Sequence, residues 1–374
     1  MKQSEIQLKL SLKCLLFALF TLALCSGGSA AEISFRSEVL TDDLEHPWGL
    51  AFLPDQRILI TERTGRLRIF ADGVLVAASV AGLPPIKQRG QGGLMGVVLH
   101  PEFMENQFIY LSYSGSGKGG HSTEVLRGKF DGKELKQIKI IFRARPKVSG
   151  GRHFGGRLLF DDAGYLFVSL GDRGQQDDAQ NLSSHSGSLV RLHDDGTIPK
   201  DNPFGSVKGV APGVYTLGNR NMQGMVLHPQ SHIVWTHEHG PQGGDEINIM
   251  QPGENYGWPV ITYGVNYGIG TKIGEGTQKT GMVQPIYKWI PSIAPSGMAF
   301  YSGDKFPQWR GDLFVGSLKF GLLVHLRVRD NEIVGEERLI AGEYGRIRDV
   351  VEGPDGYLYL LTEARKGKLV RLVP

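Results

Sequence analysis

A short phrase recurs six times along the chain: a small or polar residue, an apolar run, a turn and, in most copies, a second apolar run. The copies are Trp48-Gly49-Leu50-Ala51-Phe52, Met95-Gly96-Val97-Val98-Leu99, Gly155-Gly156-Arg157-Leu158-Leu159-Phe160, Gln223-Gly224-Met225-Val226-Leu227, Ser296-Gly297-Met298-Ala299-Phe300 and Arg348-Asp349-Val350-Val351. Turns such as Pro54-Asp55, Asp161-Asp162-Ala163-Gly164 and Gly353-Pro354-Asp355-Gly356 follow, and then second runs such as Ile58-Leu59-Ile60 and Tyr357-Leu358-Tyr359-Leu360. Self-similarity on this scale marks a repeat architecture. Short apolar runs with Gly-rich turns make each repeat a small sheet, and a ring of such sheets is a β-propeller. The anchors 49, 96, 156, 224, 297 and 349 lie 47, 60, 68, 73 and 52 residues apart, room for four short strands per unit. The expected fold is all-β, a six-bladed propeller of four-stranded antiparallel sheets. A propeller has a central channel, and chemistry is expected at its mouth.

Residues 1–31 read as a secretory signal peptide: Lys2, Lys9 and Lys13, then apolar Cys14–Leu24, then the small residues 26–31. The apolar core is short for a membrane span. Leu24 is bulky where lipid attachment at Cys25 would want a small residue. The rest, 32–374, is expected to be one propeller domain, exported and periplasmic. Cys14 and Cys25 are the chain's 2 cysteines, so the mature protein has no disulfide. The net charge of +3 includes a leader excess of two, and nothing in this balance points to nucleic acid. Glu102–Asn106 reads as a single helical turn.

Polar residues gather just before each repeat phrase. His46, Gln91, His153, Arg220, Asn221, Arg346 and Arg348 stand at or within five residues of their anchors, and the fifth blade offers Lys319 later, in Gly316-Ser317-Leu318-Lys319. Equivalent positions in successive blades ring one end of the channel, so these side chains converge. A rim of arginines and a lysine suits an anion with several carboxylates or phosphates. A histidine among them suits proton transfer. The segment His239-Gly240-Pro241-Gln242-Gly243-Gly244-Asp245-Glu246 adds bent backbone and two carboxylates, oxygen donors of the kind a hard cation such as Ca²⁺ takes. Asp172, Asp177 and Asp178 read as a solvated acidic loop. Gly115-Ser116-Gly117-Lys118 lacks the spacing of a phosphate loop. No dinucleotide fingerprint and no Gly-x-Ser-x-Gly elbow occurs.

Taken together, Arg89-Gly90-Gln91-Gly92-Gly93-Leu94, Gly151-Arg152-His153-Phe154-Gly155-Gly156, Leu217-Gly218-Asn219-Arg220-Asn221, His239 to Glu246, Asn255-Tyr256-Gly257-Trp258-Pro259 and Gly345-Arg346-Ile347-Arg348 carry a resemblance over nearly all of the mature chain. The chain resembles the soluble pyrroloquinoline quinone (PQQ)-dependent glucose and aldose sugar dehydrogenases. The resemblance implies a six-bladed propeller with the quinone across the channel mouth. It makes His153 the general base and Gln91, Arg220, Asn221, Tyr267, Lys319, Arg346 and Arg348 cofactor contacts, with Ser317 and Leu318 contributing through backbone. It gives the carbonyls of Gly240 and Pro241 to a cofactor-bound calcium, and Glu246 and Tyr256 to a second, structural one. The implied reaction takes an aldose to its lactone, with hydride passing to the quinone and electrons then to an external acceptor. Short connections between blades place the chain nearer the broader aldose dehydrogenases than the glucose-selective members. A monomer or homodimer is expected. Two other readings stand beside this one: a calcium-dependent propeller hydrolase such as a lactonase, and a non-catalytic binding propeller.

Overall fold

The computed structural model describes residues 34–374. The expected signal peptide lies outside the described residues. Six sheets of four strands follow one another round a ring. The inner strands are Pro47–Phe52, Leu94–Leu99, Leu158–Phe160, Met222–Leu227, Pro295–Phe300 and Ile347–Glu352. These are the six repeats, now blades 1 to 6. Each inner strand packs on that of the next blade, and the sixth on the first.

The second strands are apolar runs without alternation, because neighbouring blades cover both of their faces. Ile58–Glu62, Val234–Glu238, Leu313–Ser317 and Leu358–Thr362 are buried along their whole length. The cores lie between blades: Leu59, Leu94, Leu111 and Leu126 join blades 1 and 2, and Trp235, Ile247, Val315 and Val324 join blades 4 and 5. Outer strands such as Glu332–Ala341 alternate toward solvent. Blade 6 takes its fourth strand from the other end of the chain: Arg36–Leu44 pairs with Gly367–Val373, and Arg371 meets Glu38 at 2.8 Å. The ring is thus closed by one sheet that joins the two ends of the described chain. Among the described residues helix is confined to short turns, among them Phe103–Asn106, as the sequence suggests.

The anchor position is a β-bulge: pairing shifts register at Gly49, Gly224 and Gly297, and across Gly96. At Gly96, Gly224 and Gly297 there is no room for a side chain. A Cβ on Gly224 would fall 2.2 Å from His237 Nε2, and one on Gly297 2.2 Å from Asp349 Oδ1. Blade 6 breaks the pattern with Asp349, and blade 3 answers from across the channel with Arg157. Arg157 Nη1 lies 2.7 Å from Asp349 Oδ1, its Nε donates to Gln223 O at 2.6 Å and its Nη2 to Arg348 O at 3.2 Å. Its guanidinium stacks 4.3 Å above the Trp48 ring. One side chain thus ties four blades and separates the two ends of the channel.

Breaking a buried pair from one side strands the other charge, at a cost of about 3–5 kcal/mol. Arg157→Met should lose stability on that scale in denaturant unfolding. Adding Asp349→Gly, the residue the other blades use, should recover most of it. Equal stability of the single and double variants would show that the pair is not what the fold leans on.

Candidate active site

A hairpin brings the start of one strand beside the end of the next. The channel mouth is therefore built from residues before each inner strand and residues after each second strand. They enclose a cavity of about 550 Å³ floored by Trp48, Met95 and Phe154. Gln91, Asn221, Tyr267, Leu318, Lys319, Arg346, Arg348, Gly240 and Pro241, all expected from sequence, line it. His153 and Arg220 stand directly behind that lining. His153 N–H donates to Gln91 Oε1 at 2.8 Å, and Arg220 Nη1 donates to the carbonyls of His239 and Gly240 at 2.9 and 2.8 Å. Ser317 is turned away: its hydroxyl donates to Ile293 O at 2.6 Å and fixes the loop beneath Ala294. His46 also lies outside the lining, its carbonyl accepting from Arg63 N.

His153 has φ 55°, a left-handed backbone rare outside glycine. The residue three before the anchor is left-handed in blades 1, 2 and 5 as well, at His46, Gly93 and Ala294. The conformation belongs to the blade entrance rather than to the histidine. His153 Nδ1 donates to Asp172 Oδ1 at 2.6 Å. Asp172 also accepts from Gly174 N at 2.6 Å and from Trp258 Nε1 at 2.9 Å. The sequence reading of Asp172 as a solvated loop residue is corrected here: it is 1% exposed, because the loop after the second strand of blade 3 folds back under His153. Burial pushes the imidazole below its ordinary value, more strongly than Asp172 raises it, and Arg220 lowers it further. This favours the neutral ring, with Nδ1–H held by Asp172 and Nε2 left to act as a base.

The cationic side has its own unexpected member. Glu363 accepts from Arg63 at 2.8 Å, from Arg346 at 3.1 Å and from Arg348. Burial would raise its carboxyl, but Arg348, Arg63 and Arg346 hold it down at about 2. Arg348 Nη1 also reaches Gln223 Oε1 at 3.1 Å. Three arginines share one carboxylate, and Lys319 has no carboxylate partner among the described residues. The buried Nε atoms of Arg63, Arg220 and Arg348 have no acceptor there either.

In blade 4, strand alternation sends neighbouring acids to opposite sides. Asp245 accepts from Gly240 N at 2.9 Å and Ala294 N at 2.7 Å, shaping the loop below the cavity, and burial lifts it to about 6. Glu246 faces Glu238 directly across the strand pair. Burial pushes both carboxyls up, and Glu238 raises Glu246 further. Glu238, unremarked in the sequence, binds Asn219 Nδ2 at 3.0 Å and the backbone N–H groups of Arg220 and Asn221, holding the turn that presents them. The Tyr256 hydroxyl is committed to Ile249 O and Gln251 N at 2.8 Å, so only its carbonyl is free to serve as a ligand.

The missed residues share one signal. Asp172, Glu238 and Glu363 close or follow second strands, and Arg63 does the same in blade 1. The sequence reading looked for the rim mainly before the first strands.

Residues 44–371 match the family model described as Glucose / Sorbosone dehydrogenase. The chain is 46% identical to the aldose sugar dehydrogenase YliI of Escherichia coli, across 92% of this chain and 94% of that protein. The crystal structure of the soluble E. coli aldose sugar dehydrogenase in its apo form superposes with a TM-score of 0.89 at 46% identity, covering 91% of this chain and all (100%) of the other. The PQQ-bound aldose sugar dehydrogenase of Streptomyces coelicolor gives a TM-score of 0.75 at 25% identity, covering 92% and 99%. The chain belongs to the glucose/sorbosone dehydrogenase family and is an oxidoreductase.

The histidine geometry is testable without turnover. In NMR titration His153 should keep its Nδ1–H and be neutral at pH 6.5, the ordinary histidine value. Asp172→Asn removes the charge that favours the imidazolium, so its midpoint should fall further. A midpoint above 6.5 in the native protein, or a rise in the variant, would contradict the arrangement.

Proposed function

We propose that the protein oxidises aldoses at the anomeric carbon to lactones, with PQQ held across the channel mouth and His153 as general base. The observation that carries this is an Asp172-oriented histidine beside a cavity whose cations outnumber its carboxylates. PQQ is a flat tricarboxylate, and the residues present suit it. Lys319, Arg346 and Arg348 offer charge, Trp48 offers a flat floor, and the cavity volume lies in the usual range for such ligands. The amide of Gln91, whose oxygen is taken by His153 N–H, has its NH₂ free to donate. Asn221 Oδ1 accepts from Gly155 N at 3.2 Å, which orients its NH₂ likewise. When bound, the quinone supplies the hydride acceptor.

The protein's part is to hold and to deprotonate. His153 Nε2 takes the proton of the anomeric hydroxyl, and Asp172 steadies the imidazolium that forms. A positioned base contributes roughly 10²–10⁴-fold, with the rest left to orientation and charge. Gly240 and Pro241 place hard carbonyl oxygens on the cavity wall, and calcium there would polarise a quinone oxygen as a Lewis acid. The Gly240 carbonyl already accepts one bond from Arg220 and keeps a second lone pair. Among the described residues no three acidic, histidine or cysteine side chains converge on a metal, so this calcium would need oxygens from the cofactor. A second calcium fits between Glu246, Glu238 and the Tyr256 carbonyl, around a void of about 10 Å³. Two like charges directly opposed on a sheet repel, and a cation removes that repulsion.

The hydrolase reading asks for carboxylates deep in the channel, and there the structure has the Arg157–Asp349 pair. Export to the periplasm, with removal of 1–31, is part of the proposal. No helix of the described residues is long and apolar enough to cross a membrane.

Purified protein given PQQ, Ca²⁺ and an aldose should reduce a redox dye only when all three are present. His153→Ala should fall below about a tenth of native turnover at saturating PQQ, consistent with a lost base, while Arg348→Ala should mainly weaken PQQ binding. Retained turnover in His153→Ala would remove the histidine from the chemistry. Separately, Ca²⁺ should raise the melting temperature of the cofactor-free protein, and Glu246→Gln should abolish most of that rise. An unchanged response in the variant would move the structural cation elsewhere.

A further inference from the structure

The cavity mouth is edged on the side of blades 4 and 5 by large apolar side chains in open solvent. Tyr267 is 67% exposed, Ile269 82%, Ile290 62% and Phe320 42%. They form one patch. Gln242 pairs with Val265 and accepts from Gly268 N at 3.3 Å, Ile290 packs near Gly243, and Lys319 N bonds Ile293 O. Only Tyr267 lines the cavity; Ile269, Ile290 and Phe320 sit outside it, next to the lining residues Pro291 and Lys319. They are of no use to a sugar inside. Contiguous apolar surface of this kind marks a contact with something larger.

Charge says what kind of partner. The loops at this end of the ring expose Arg89, Arg152, Lys319, Arg346, Arg365 and Lys366, which outnumber the exposed acids Asp177 and Glu343 there. At the other end, the turns joining the two innermost strands expose an acid in five blades: Asp55, Glu102, Asp162, Asp304 and Asp355. The molecule is polarised along the channel axis, with the cavity at its positive end. Such a field draws a negatively charged partner to that face and orients it there.

We propose that the rim around Ile269 and Ile290 is the docking surface for a one-electron carrier protein with an acidic face. This rests on the dehydrogenase reading. Oxidation of one aldose leaves two electrons and two protons at the cavity, whose opening lies beside the patch. Two carriers collect them in turn, each reduced by one electron, and the two protons pass to solvent. A lipid surface would also meet an apolar and basic patch, but lying on the mouth it would close the route of the sugar.

The test uses one haem protein in two charge states, cytochrome c and cytochrome c with its lysines succinylated. Binding to the full-length protein is measured by surface plasmon resonance, and reoxidation of the sugar-reduced holoenzyme by stopped flow. The succinylated form should bind and react at least about tenfold faster than the native form at low salt, with the advantage fading as salt rises. Ile269→Asp/Ile290→Asp should cut both readouts at least about fivefold, as expected for a charge placed in a docking face. The charge-matched pair Val74→Asp/Val334→Asp, away from the mouth, should leave them unchanged, and bleaching of the cofactor by sugar should be native in both. Equal behaviour of the two cytochromes, or equal loss in both double variants, overturns the proposal. So does binding of phosphatidylglycerol vesicles that only the Ile269/Ile290 variant loses. If sugar fails to bleach the cofactor, the dehydrogenase reading falls, while the binding data still decide the docking face.

Discussion

The Arg157–Asp349 pair is the interaction on which this ring depends. Five blades bring glycine to the anchor position, and at Gly96, Gly224 and Gly297 a Cβ would strike a neighbouring segment. The sixth brings a carboxylate, fully buried, which burial pushes toward its neutral form while Arg157 opposes. A charge in that place is tolerable only with a partner of fixed geometry. Arg157 supplies one and also fastens the carbonyls of Gln223 and Arg348. The side chains of those two residues line the cavity above. The same pair therefore closes the fold and sets the floor of the site.

Above that floor the problem is reversed, since too many cations share a small space. Arg63 is buried beside Arg348 and Arg346, and burial together with those neighbours lowers its pKa while Glu363 raises it. Without Glu363 the three guanidiniums would repel in a poorly hydrated site. With it, the cluster is stable before any anion arrives, and it is still short of negative charge. One internal carboxylate makes the cluster foldable, and the remaining shortage of negative charge is what suits it to the anionic cofactor proposed above.

Much of this was legible in the sequence. Five of the six repeats carry a glycine at the anchor, so the blade count can be read from the recurring phrase and its spacing. Residues before those strands must ring the channel, which exposed His153, Arg220, Asn221, Arg346 and Arg348. What stayed hidden depends on contacts between distant segments. Asp172 looks like any aspartate in a polar loop, and only the fold places Trp258 and His153 against its two oxygens. Glu363 sits among Ala364, Arg365 and Lys366, which are exposed, and gives no sign of the arginines that reach it. Ring closure by residues 36–44 is equally silent, since that strand is half-exposed and carries no copy of the repeat.

The buried acids show how one residue type acquires different roles. Asp172 and Glu363 face cations or N–H donors toward the mouth, and their carboxyls stay below the ordinary range. Asp245, Glu238 and Glu246 sit in blade 4 with backbone amides and one another as neighbours, and theirs are pushed up. The first group needs nothing more, because its charge is already balanced by the protein. The second has spare negative charge, which only a proton or a cation can meet. Blade 4 also presents the turn of Arg220 and Asn221 through Glu238, and the Gly240 carbonyl through Asp245. A cation bound there would act on the loops that present Arg220, Asn221 and the Gly240 carbonyl as well as on stability, so under the proposed function metal occupancy and cofactor geometry should be coupled through this blade.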